Sequence, residues 1–110
     1  QVASVIEKKI IKNSKITAII CSTEYSAAGA IKACNKLNKK IGIDISLITF
    51  DGAVVNFITS PPITAITHDR KELGSKAIEI LTSDTKLKNN SYYLAKPEII
   101  ERGSVLTLKK

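Results

Sequence analysis

Three short, β-rich apolar runs limit what this chain can fold into: residues 16–21, 45–50 and 63–67. The first, Ile-Thr-Ala-Ile-Ile-Cys, is apolar on both sides, as expected of a parallel strand covered on two faces. Helical patterns separate the runs. Val2, Val5, Ile6 and Ile10 recur at helical spacing over residues 2–12, and Asn13 and Ser14 end that helix. Ser22 or Thr23 can cap a second helix over about residues 24–39, with Ala27, Ile31, Cys34 and Leu37 inward and Gly29 allowing close packing on the sheet. A third helix is expected over about residues 69–81. It has Leu73, Ala77 and Ile80 or Leu81 inward, and Asp69 with Glu72 at capping-box spacing. Residues 83–90 read as a polar turn, residues 92–95 and 99–100 as short strands flanking Pro97, and the last six as weakly paired or frayed. Alternating helices and buried strands imply an open α/β sheet covered by helices.

A length of 110 residues permits one domain or part of one, but not a cleft between two full α/β lobes. No apolar run approaches the roughly 20 residues needed to span a bilayer, so no membrane partner is expected. The 17 Lys and Arg against 10 Asp and Glu give a net charge of +7. This excess is divided nearly evenly between the two halves of the chain and is mostly Lys, as on a solvated surface. Aromatic residues are only 5% and Trp is absent, which disfavours the stacking platforms of single-stranded nucleic-acid binders. No helix-turn-helix pattern or finger spacing is visible. Cys21 and Cys34, the only cysteines, lack metal-site or redox-pair spacing and read as small core residues. Gln1 is not an initiator Met and no signal-peptide apolar segment follows it, so the chain reads as an excised piece.

Ligands of open α/β sheets gather beyond the carboxyl ends of the strands, which directs attention to residues 21–25 and 51–54. Asp51 follows a buried strand and precedes Gly52. Its carboxylate can accept hydrogen bonds from ligand hydroxyls or serve as an Asx-turn acceptor, and the two roles share one geometry. Thr23 and Glu24 supply a hydroxyl and a carboxylate at the other strand end, although Thr23 can act only as a helix cap. His68, the sole histidine, follows the third strand; alone it makes no metal cluster, and Asp69 beside it is badly placed to orient it as a base. Phosphate-loop, dinucleotide and nucleophile-elbow motifs are absent, so neither a catalytic residue, a metal nor a cofactor is expected. Val54, Val55, Phe57 and Ile58 either pack beneath a helix or form a subunit contact.

Four blocks in order carry a family resemblance. Residues 17–31 (TAIICSTEYSAAGAI), 44–52 (DISLITFDG), 60–66 (SPPITAI) with Leu73-Gly74, and 97–104 (PEIIERGS) resemble the effector domain of the lactose/galactose repressor family of bacterial transcriptional regulators. The resemblance implies a truncated α/β lobe, a three-layer parallel-sheet part of the periplasmic-binding-protein-like fold. On this reading residues 1–110 are part of the C-terminal lobe, with the DNA-binding headpiece and the N-terminal lobe absent. It further implies a cytoplasmic homodimeric regulator that senses a sugar or nucleobase-like effector and meets operator DNA only through the absent headpiece. The alternative is the same lobe of a periplasmic sugar-binding transport protein. Carried over by position, the effector contacts fall on Thr23, where the family has Asn, on Glu24 and on Asp51. His68 stands where the family often has Gln. The usual Gly before Phe is Thr49, and the second Asp is Gly52. A dimer contact is implied for the stretch from Val54 to Ile66, through Val54, Phe57, Ile58, Ile63 and Ile66.

Overall fold

The computed structural model describes residues 1–52, 54–83 and 92–107. Helix α1 (Val2–Lys12) leads to β1 (Ala18–Cys21), α2 (Glu24–Lys36), β2 (Ser46–Phe50), a 3-10 turn (Val55–Phe57), β3 (Thr64–Thr67), α3 (Arg70–Thr82) and β4 (Glu98–Ile100). The sheet order is β1-β2-β3-β4, and β1, β2 and β3 run parallel, with Cys21 opposite Thr49 and Phe50 opposite Ile66. The expected α/β class and parallel sheet are therefore present. The chain divides into two units, Gln1–Thr67 with Ile99–Lys110, and His68–Glu98.

In the first unit, residues of alternate parity along the strands build the core. Cys21 and Leu47 pack with Ala27, Ala30 and Cys34 of α2 and Ile10 of α1. The small residues of α2 let its backbone lie close to the sheet. Gly29 has a different neighbour from the one expected: a Cβ there would lie 2.9 Å from Val2 Cγ1, so it admits α1 rather than the sheet. Both cysteines are buried and free, and burial pushes their thiols above the usual range. The opposite face of the sheet differs from expectation. Ile20 is 70% exposed, so β1 is covered on one face only in the described structure.

The C-terminal segment returns to the start of the strands and clasps them. Ser104 Oγ donates to Leu47 O at 2.6 Å and accepts from Thr64 N at 2.8 Å, while Leu47 N donates to Ser104 O at 2.9 Å. Arg102 N donates to Thr64 Oγ1 at 3.0 Å, and Arg102 Nη1 donates to Ile63 O at 2.6 Å. Close approach here demands glycine. Gly42 has φ +79°, and a Cβ on it would lie 2.3 Å from Gly103 O.

In the second unit, Asp69 caps α3 by accepting from Lys71 N and Glu72 N at 2.8 and 3.0 Å. The Glu72 side chain accepts the Tyr93 hydroxyl proton, and that bond raises the phenol pKa. Lys76 lies over the Tyr93 ring and pairs with Glu79 at 2.8 Å. Contrary to the expected inward stripe, no residue of α3 is buried: Leu73 and Ile80 are half-buried, and Ala77 and Leu81 are exposed. Residues 92–95 form no strand, and the expected turn at 83–90 lies almost wholly outside the described residues.

Candidate functional site

Parallel pairing of β1 with β2 brings their carboxyl ends to one level. Because Cys21 faces Thr49, Thr23 and Asp51 each leave the sheet two residues beyond that pair. Thr23 is the N-cap of α2: its Oγ1 accepts from Ser26 N at 3.2 Å, and its own N donates to Ser26 Oγ at 3.1 Å. This completes a capping box with Ser26 in the place usually held by Glu or Gln. The Thr23 hydroxyl is exposed but also lies 3.2 Å from Ser26 Oγ, so a ligand would compete with a local bond.

Asp51 has the less ordinary backbone. Its N donates to Ile66 O at 2.9 Å, and Gly52 N donates to Phe50 O at 3.0 Å across it, closing a γ-turn with Asp51 at φ +68°. A non-glycine residue in that region costs about 1–2 kcal/mol and persists where its surroundings fix it. The next residue could not be anything larger. Gly52 has φ +60°, and a Cβ there would sit 2.5 Å from the Cβ of buried Ala65. Gly52→Ala is expected to cost about 2 kcal/mol of stability, from left-handed strain and overpacking, read as a lower urea midpoint. An unchanged midpoint would contradict this turn geometry.

Glu24 turns its carboxylate to the chain itself. Its Oε1 accepts from Val54 N at 2.6 Å and Val55 N at 3.1 Å, holding the start of the 3-10 turn. Asn56, which sequence reasoning missed, braces the same connection: Nδ2 donates to Gly52 O and Oδ1 accepts from Ile63 N at 2.8 Å. Its only sequence signal was an amide between a Gly turn and a Pro pair. The structure thus gathers Thr23, Glu24 and Asp51 at one end of the sheet. His68 is half-buried and opens the second unit.

The expected contact residues separate by burial. Val54 and Ile58 are exposed, Ile58 to 76%, and together with Glu24, Tyr25, Ala28 and Val55 they line a hollow of about 200 Å³. Tyr25, 91% exposed, was not anticipated there. Ile63, expected at a subunit contact, belongs instead to the core at 1% exposure, because it leads directly into β3 and its carbonyl is held by Arg102. Ile66 is half-buried, and the Phe57 side chain lies outside what is described. Among the described residues no group of three His, Cys, Asp or Glu could hold a metal ion, and no helix is long and apolar enough to cross a membrane.

Polar side chains thus collect at the carboxyl ends of parallel strands, where ligands of open α/β folds gather. The chain belongs to the family of periplasmic binding protein-like domains, whose model it matches over residues 2–105. It is 34% identical over 103 residues to the HTH-type transcriptional repressor PurR of Histophilus somni (strain 2336), covering 91% of this chain and 31% of that protein. It is 29% identical over 106 residues to the ribose operon repressor of Haemophilus influenzae, covering 94% of this chain and 32% of that one. The fold matches a LacI family transcriptional regulator from Arthrobacter sp. FB24, solved in complex with lactose, with TM-score 0.82 and 20% identity over 94% of this chain and 40% of that structure. These relatives bear out the resemblance to lactose/galactose repressor-type regulators. The chain spans about a third of the length of the curated relatives it matches.

Proposed function

We propose that residues 1–110 form part of the C-terminal lobe of the effector domain of a transcriptional regulator and supply one wall of its small-molecule site. The observation that carries this is Asp51, a charged residue held in left-handed backbone beyond the carboxyl end of β2, level with Thr23 beyond the end of β1. A carboxylate fixed there can accept two hydroxyl or N–H protons from one ligand, and the Thr23 hydroxyl adds a donor or acceptor. A sugar or nucleobase-like effector has the required polar edge. The ribose operon relative and the lactose-bound neighbour support that class.

The action is binding, not catalysis. Repressor relatives support a cytoplasmic regulator over a transport receptor, with operator DNA met through a headpiece outside this sequence. Calorimetric titration of the intact protein with D-ribose, lactose, adenine and guanine tests the reading. Saturable binding of one member is expected; a protein that binds none of them contradicts this effector class.

The same reading includes a homodimer whose contact uses Val54 and Ile58, with Tyr25 beside them and Ile63 removed. Ile58→Glu places a charge on that exposed surface and is expected to raise the dimer dissociation constant of the intact protein at least tenfold by sedimentation velocity. An unchanged constant would mean that the contact lies elsewhere.

A further inference from the structure

Glu24 stands at the junction of two features that the proposed function treats separately. It follows Thr23 at the strand-end site, and its carboxylate oxygen takes two consecutive backbone N–H groups from the loop that displays Val54 and Ile58. Charge-assisted bonds of this kind are stronger than neutral ones, and here they bridge some 30 residues of sequence. We propose that Glu24 is a positioning residue: by gripping Val54 and Val55 it ties the N-terminus of α2 to the apolar loop, and that tie sets the affinity of the subunit contact. The inference rests on the reading of Val54 and Ile58 as that contact.

Three observations support a tie rather than an incidental bond. Val55 is buried and anchors the loop in the core, while its neighbour Val54 is exposed, so fixing both amides fixes which side chain faces outward. Glu24 and Val54 line the same hollow as Tyr25 and Ile58, so the grip lies beside the surface that it would position. Thr59 Oγ1 donates to Val55 O at 2.9 Å and holds the far end of the turn, while Glu24 takes the amides of its near end beside the Asn56 brace on Gly52 O.

The test compares Glu24→Ala with Glu24→Gln in the intact protein. Gln retains an Oε1 that can accept from both amides; Ala retains nothing. Glu24→Ala is expected to raise the dimer dissociation constant at least tenfold, and Glu24→Gln to stay within threefold of the wild type. Amide hydrogen exchange adds a local readout. In Glu24→Ala the Val54 and Val55 amides should exchange at least tenfold faster while those of β2 keep their protection, which general destabilisation would not produce. The inference is overturned if Glu24→Ala dimerises like the wild type, or if Gln and Ala weaken the dimer equally. The controls separate it from the underlying reading. If Ile58→Glu leaves the dimer intact, the contact surface itself is wrong; if Ile58→Glu dissociates the dimer and Glu24→Ala does not, only the tie fails.

Discussion

Replacing Asp51 with alanine is expected to weaken effector binding by the intact protein more than tenfold, at least about 1.4 kcal/mol, by calorimetry. The carboxylate supplies charge-assisted acceptors that no neighbouring backbone group replaces. The backbone of Asp51 makes the experiment more discriminating. At φ +68° alanine inherits the left-handed strain, whereas glycine does not. Asp51→Gly should therefore bind as poorly as Asp51→Ala yet be about 1 kcal/mol more stable than it in urea denaturation. Asparagine, which tolerates this backbone and keeps one carbonyl acceptor, should fall between wild type and alanine in affinity. Affinity unchanged in all three variants would remove Asp51 from the site.

Ser104→Ala carries the largest stability effect expected of this fold, about 3 kcal/mol. The side chain is fully buried and satisfies two groups at once, Leu47 O and Thr64 N, at the start of adjacent parallel strands. Alanine would leave both without that partner in the buried interior. The loss should appear as a lower urea midpoint by circular dichroism and as faster exchange of the Thr64 amide. A cost below about 1 kcal/mol would show that the clasp is not holding the strands. Ser104→Cys, similar in size but a weaker donor and acceptor, should recover only part of the loss.

Local rules located most of the elements. Short apolar runs and helical spacing marked α1, α2, β1, β2 and β3 to within a few residues, and the strand-end rule pointed to Thr23, Glu24 and Asp51. What escaped was long-range. An apolar run such as 16–21 shows that a strand wants burial, not which face receives it, and Ile20 is exposed in spite of its type. The Ser104 clasp joins residues 40 and 57 positions apart through single hydroxyl bonds, a pattern with no periodicity to detect. Glu24 read as a ligand contact because a carboxylate at a strand end looks alike whether it faces a solute or a loop. Its bonds to Val54 and Val55 became visible only with the chain folded. The stripe of α3 was legible as a helix, but no residue of it is buried.

In the proposed function an effector lies against the end of β2, on Asp51. A crystal structure of the intact protein with whichever of the four test compounds binds most tightly addresses it directly. A ligand oxygen or nitrogen is expected within about 3 Å of an Asp51 carboxylate oxygen, with the γ-turn at Asp51 and Gly52 retained. A bound ligand that leaves Asp51 facing solvent, or that sits away from the ends of β1 and β2, would contradict it.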